Sequence, residues 1–534
     1  MAFSTQQHHF PIIRWLGPAV LLACLMLSGA LPAQTFTVNS TGDDGVAELN
    51  GMCATATGDC TLRAALQEAN ATDSGLVNIH FDIADCPGDL CVIEMEGQSL
   101  PLITRQVVLD GSTQPGNAGV CQSDIVDRPA YRIALQGTGA ADVQGLHLVS
   151  GSDGSVIRGL NIRNFEHGIQ LVGSHDNHIE CNAIGTDSAG LQAGPGNLRS
   201  GVFLACDSSG NVIGGPESEQ ANLIGASGRD GVQIFGGFTT CGGLPENNMP
   251  VDNAVLGNQI GIAADGTSPL GNEFAGIAIF GRSGADHNLI GVLQDRETIR
   301  GNVIGFNGTS GLYIDSDGLQ DRPTENTVVQ GNYFGTDRTG QRNLGNQLGG
   351  IDIIRGALTT IGGPEPGQAN VFAFNDDGVY MERQISERNR VQRNVMHSNQ
   401  RYGIVLQDGH EFDPDGTGPN RLQPAPVMTS TFKENGIVSI TYSVPDQVDN
   451  FPLAIEFFLA DGQREQGRLF LIEHDYLADG VRTLTFSSTQ IEAGQFLVAT
   501  ATDSLGNTSE FSTVSRVLGE VPIEQDRIFH DRFQ

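Results

Sequence analysis

Lysine is almost missing from this 534-residue chain: Lys433 is the single one among 29 basic residues, which face 62 acidic ones for a net charge of −33. A surface that acidic repels nucleic acid and anionic lipid, and suits cations or a basic partner. Aromatic residues are also scarce, at 6%. After Leu27 no long apolar run occurs, so no transmembrane span is expected beyond the N-terminus. There is no Cys-x-x-Cys or Cys/His spacing for zinc, no Gly-Lys-Ser/Thr phosphate loop, no Gly-x-Ser-x-Gly elbow and no dinucleotide fingerprint. These absences leave the many glycines, 70 in all, to be explained as turns.

The N-terminus reads as an export signal over residues 1–33. Arg14 precedes the apolar stretch Trp15 to Leu27, and small residues follow in SGALPAQ, with cleavage expected near Ala30 or Ala33. The apolar stretch is shorter than the roughly 20 residues that a membrane anchor requires. LLAC looks like a lipoprotein box, but apolar residues continue past Cys24. The mature chain, at −34 once Arg14 is lost, is therefore expected to be secreted, extracellular or on the outer cell surface. Eight cysteines remain, an even number that reads as disulfides in an exported protein. Cys53 with Cys60 and Cys86 with Cys91 are close enough to close small loops, and Cys181 with Cys206 is the expected link between neighbouring coils.

Internal repetition decides the fold. NHIECNAIGTDSAG, from Asn177, returns as NAVLGNQIGIAADG from Asn253 and NTVVQGNYFGTDRTG from Asn326. A second phrase, Gly followed by alternating apolar residues, recurs as HGIQL, SGVFL, DGVQIF, AGIAIF, SGLYI, GGIDII, DGVYM and YGIVL. Each is a strand too short to bury a face alone, so coils must stack on one another. The reading is an all-β parallel β-helix over residues 126–412, with coils of roughly 22–35 residues grouped in threes and asparagine ladders at the corners. A β-propeller would need four strands in a fixed period of about 40–45 residues, which is not seen.

Before the repeats, in residues 34–125, CTLRAALQEAN reads as a helix. Leu62, Ala65, Leu66 and Ala69 form one apolar stripe and Thr61 is the N-cap, so the helix is expected to lid the open end of the first coil. Residues 413–519 carry longer alternating strands punctuated by proline, which predicts a small antiparallel β-sandwich. A short tail spans 520–534.

Cys53, Cys60 and CTLRAALQEAN resemble the Cys-Ser-Leu-Arg-Glu-Ala-Ile (CSLREA) module of bacterial secreted proteins, with Thr61, Ala64 and Leu66 departing from it. The repeats are similar to the right-handed parallel β-helix proteins that carry this module. GTGPNRLQPAP, TATDSLGNTSEFS and the tail IFHDRFQ are similar to the C-terminal parts of such exported proteins. The resemblance implies a right-handed solenoid, while β-helices serve both as carbohydrate enzymes and as non-catalytic surface proteins.

Three groups of residues stand out as candidate sites. Asp376 and Asp377, in FNDDGVY, resemble the paired aspartates of pectin-cleaving hydrolases, without the Asn-Thr-Asp and Gly-His-Gly phrases expected beside them. FEHGIQLVGSHDNHIE gathers Glu166, His167, His175, Asp176 and His178, residue types suited to acid–base work or metal binding. Asp413 and Asp415, in DPDGTGPN, offer hard oxygen ligands for calcium at the joint before the sandwich; no other cofactor is implied. Asp187, Asp265 and Asp337 recur before glycines as turn residues, with an expected spacing of roughly 14 Å at three coils.

From sequence, the favoured role is a monomeric, non-catalytic protein binding a polysaccharide, a cell-surface glycan or another surface in adhesion. The alternative is a lyase or glycoside hydrolase acting on an acidic polysaccharide. Three or more Asp, Glu, His or Arg converging on one coil face would favour the enzyme.

Overall fold

A computed structural model describes residues 33–72, 75–237, 249–281, 285–292, 300–316, 322–407, 418–445 and 450–519. The repeats coil into three long parallel sheets of 11, 10 and 9 strands, a parallel β-helix. One coil consists of Val156–Arg158, Asn161–Arg163 and Ile169–Val172, and the next stacks on it in register as His178–Glu180, Ala183–Ile184 and Val202–Ala205. Alternation along each short strand sends one row of side chains inward. In the first sheet that row runs Ile157, Ile179, Ile213, Val255, Ile290, Val329 and Ile361, all fully buried. Each such side chain contributes about 1.5–3 kcal/mol of transfer free energy, which no single coil could collect alone.

The corners are held by buried asparagines. Between the first and second sheets, Asn182, Asn222, Asn258, Asn302, Asn332, Asn370 and Asn394 each donate from Nδ2 to Oδ1 of the next, at 2.9–3.2 Å. Each Oδ1 also accepts the backbone N–H of the preceding ladder member, as Asn302 does from Asn258 at 2.9 Å. Asn272, Asn307, Asn346, Asn375 and Asn399 form a second ladder between the second and third sheets. These amides meet the hydrogen-bonding needs of turning backbone that is out of reach of water.

Two expectations are corrected. Consecutive members of the Asn177–Asn211–Asn253 corner lie 34 and 42 residues apart, so the repeat from Asn177 to Asn253 spans two coils, not three. Loop insertions lengthen the coils beyond the expected 35 residues. Asp187 and Asp265 are therefore roughly 10 Å apart along the stack rather than 14 Å. The second correction is that Cys181 pairs with Cys121, not Cys206. Cys181 follows a first-sheet strand and Cys206 a third-sheet strand, so they occupy different corners. Residues 111–131 instead cross the outside of the second sheet. Arg128 donates to the carbonyls of Ala221 and Glu219, and Val120 and Tyr131 pack beside Cys181 and Ala183. Cys53–Cys60 and Cys86–Cys91 form as expected, and Cys206 is also disulfide-bonded.

Helix Leu62–Ala71 closes the N-terminal end. Thr61 Oγ1 accepts from the Ala64 amide at 3.0 Å, and Leu62, Ala65, Leu66 and Ala69 are fully buried in the core that continues into the first coils. Arg63 pairs with Asp43 at 2.8 Å and donates to the carbonyls of Gln98 and Ser99, while Glu68, on another side, accepts from the amides of Asn50 and Gly51. This is a structural lid. Leu66→Asp would place an unpaired charge in that core, at an expected loss of about 4 kcal/mol or more. Soluble yield and Tm check this; an intact monomer of unchanged Tm would refute the lid.

At the other end, two four-stranded sheets form a sandwich, antiparallel except where Phe432 pairs with Leu518 in parallel. Phe458, Ala460, Val498 and Phe511 join the solenoid core, whereas Tyr442, Phe457 and Tyr476 fill a separate core inside the sandwich. Among the described residues, no helix is long and apolar enough to cross a membrane.

Candidate functional site

The third sheet builds the site. Each of its strands follows a glycine, and the column Gly311, Gly350, Gly378 shows why. A Cβ on any of them would fall within 2.4–2.8 Å of the next glycine's carbonyl oxygen. With the glycines aligned, the residue two places on faces outward in every coil. The register makes Tyr313, Asp352 and Tyr380 direct neighbours in that outward row.

Asp352 lies between two tyrosines with 7% of its surface exposed. Ser310 Oγ donates to its Oδ2, and Oδ1 is buried beside Gly349. Burial pushes its carboxyl up to about 6, and the nearby charges of Asp377 and Asp376 act in the same direction, against the Ser310 bond and the Gly349 amide. Asp352 thus keeps its proton up to about pH 6, well above the range of an ordinary carboxylate. One coil on, Arg401 clamps the aspartate pair: it hydrogen-bonds Asp377 and lies 3.2 Å from Asp376 Oδ2. Asp377 is buried and also accepts from the Tyr402 amide, whereas the Asp376 side chain keeps 29% of its surface exposed.

Both tyrosines are neutral donors. Tyr313 donates to Asp315 at 2.7 Å, and Asp315 is held by Arg355 at 3.0 Å. Tyr380 donates to Glu382 at 3.1 Å, and burial, then the charge and hydrogen bond of Glu382, push its hydroxyl up to about 12. Burial and Asp315 raise Tyr313 in the same sense. At neutral pH both phenols are therefore protonated.

Of the residues singled out in the sequence, Asp376 and Asp377 belong to this cluster and the others do not converge. Glu166 pairs with Arg199 at 3.0 Å and accepts from Gln144. His167 lies on the third-sheet face, stacked on Phe203, where burial holds its imidazole down at about 3. His175 accepts from the Ser209 amide at a corner, Asp176 sits beside it with φ 55°, and His178 is exposed on the first sheet. Chain neighbours are thus dispersed over two sheets and the corner between them because the coil turns. Asp187 and Asp265 each cap their own loop, accepting amides two to five residues ahead, as turn residues do. Asp413 and Asp415 lie outside the described residues. Among the described residues no group of three His, Cys, Asp or Glu could hold a metal.

Sequence reasoning missed Asp352, Tyr313, Tyr380 and Arg401. The signal was present: stacking SGLYI, GGIDII and DGVYM on their glycines puts tyrosine, aspartate and tyrosine in one column.

No protein-family profile and no curated protein matches this chain. Among solved structures it is similar to an alginate lyase from Paenibacillus sp. str. FPU-7, at 13% identity and a TM-score of 0.33, covering 70% of this chain and 98% of that one. A likeness at that level carries no weight for the site; the chemistry rests on the residues above.

Proposed function

We propose that this is an exported glycan-active enzyme that hydrolyses glycosidic bonds on the outer face of the third sheet. One observation carries the reading: a buried Asp352 that holds its proton up to about pH 6, between two tyrosines and beside the Asp376–Arg401–Asp377 clamp. This separates an acid from a base, as glycoside hydrolysis requires. Asp352 protonates the leaving oxygen, and the more exposed Asp376 activates water, positioned by Arg401 and Asp377. Tyr313 and Tyr380, one coil to either side, form the platform for the sugar rings.

Elimination is the poorer fit. A lyase needs a base and a free cation to neutralise a substrate carboxylate. The solenoid has no lysine, both phenols are protonated, and Arg355 and Arg401 are committed to aspartates. The test is incubation with neutral and acidic polysaccharides, following reducing ends and unsaturated products. New reducing ends without unsaturation support hydrolysis. Unsaturated ends would assign a lyase, and binding without cleavage would return the protein to the non-catalytic role.

A further inference from the structure

The N-terminal part of the same face has its own unexplained polar atoms. His147 and Gln170 are direct neighbours in the outward row, on adjacent strands Leu146–Val149 and Ile169–Val172. His147 Nε2 and Gln170 Oε1 are both buried and unpartnered. So is Gln144 Oε1, whose amide nitrogen is spent on Glu166 at 2.5 Å. His167 adds a ring fixed by stacking on Phe203 at 4.6 Å, its Nδ1 accepting the Ser200 amide and its Nε2 remaining. A buried polar atom without a partner costs about 1–3 kcal/mol, and three within one patch ask for a common explanation.

We infer that Gln144, His147, His167 and Gln170 form a distal subsite for an uncharged, hydroxyl-rich glycan chain. Hydroxyl groups supply donors and acceptors at once, which matches acceptors on the glutamines and imidazole nitrogens of either role. Burial keeps both imidazoles uncharged, and the neighbouring guanidiniums of Arg199 and Arg229 are paired with Glu166 and Asp230, so no unpaired cation among the described residues faces a uronate here. Gln170 and Asp352 stand in the same outward row, five coils apart, about 24 Å at the spacing of stacked strands. The subsite rests on the proposed hydrolysis only in naming its substrate: a long neutral polysaccharide lying along the solenoid axis, engaged far from the cleavage point.

Affinity electrophoresis of the full chain through gels containing galactomannan, xyloglucan, soluble β-glucan or polygalacturonate tests this without requiring turnover. Retardation is expected in at least one neutral glycan, weakened about tenfold by Gln170→Leu and by His147→Phe, and retained by Asp352→Asn. The Gln170→Leu chain should have an unchanged or higher Tm, because an unpaired buried acceptor has been removed. Equal retardation of wild type and a folded Gln170→Leu, retardation by polygalacturonate alone, or none in any gel would overturn the subsite. Loss of cleavage with retained retardation in Asp352→Asn separates this inference from the proposed activity; a binding protein that never cleaves would refute only the latter.

Discussion

Replacing Asp352 with asparagine is expected to lower glycan cleavage by about 10²–10⁴-fold, the range for a lost general acid. Asparagine fits the same space and can still accept from Ser310, so the coil stack should survive. The pH profile follows from the same burial. The active form is protonated, and the carboxyl has been pushed up to about 6. The rate should therefore fall as pH rises through that value. Stability has the same sign. A carboxyl whose pKa is higher folded than unfolded contributes stability that is fully present below the unfolded value of about 3.9, and lost as pH rises through about 6. At pH 8 the asparagine variant should thus melt at or above the wild-type Tm, while at pH 5, where wild-type Asp352 is protonated, it cleaves far more slowly. That opposition of stability and activity marks a group kept for function. A variant with full activity, or a profile flat from pH 5 to 8, would remove Asp352 from the mechanism.

The sequence showed the architecture through local patterns that the structure repeats without change. Leu62, Ala65, Leu66 and Ala69 sit at helical spacing, and the lid needs nothing beyond that stripe and Thr61. The corner asparagines could be read because their spacing to the neighbouring strands is constant. What was not legible depended on the number of residues between corners. Insertions after the second-sheet strands let two coils occupy the length expected of three, so the stack partners of Asp187 were misplaced. Cys121 reaches Cys181 because residues 111–131 leave the coil path, and no period records such a detour. The site fell between these cases. Asp377 was visible as half of an acidic pair, yet Asp352 is one residue inside an apolar strand phrase, and its partners come from coils above and below. Contacts across coils follow from register, and register was recoverable only by aligning the glycines.

Ending the chain at Gln407 should yield insoluble or aggregated protein, although an appended sandwich would be expected to leave a soluble solenoid behind. The reason lies in the last coil, whose outward N–H groups have no following coil to receive them. The sandwich provides acceptors one by one. Asn507 Oδ1 accepts from Arg388, Thr508 Oγ1 from Val391, Glu456 Oε2 from Arg393, Asp461 Oδ2 from Ser398, Gln466 Oε1 from Asn399 and Glu510 Oε1 from Leu406, all at 2.6–3.1 Å. Gln466 also extends the second asparagine ladder by one member, accepting from Asn399 Nδ2 at 3.2 Å. Behind these bonds, Phe458 and Phe511 pack on the last coil and continue its core. Removal would expose three parallel sheet edges together with that apolar end, a template for edge-to-edge association. The two parts should also melt as one unit, in a single calorimetric transition, because the interface carries both core and backbone bonds. Gln466→Leu is the mild version: the Asn399 amides lose their acceptor, at about 1–3 kcal/mol. A truncated chain that stays monomeric with the full-length Tm would show that the sandwich is an appended module and that the last coil closes itself.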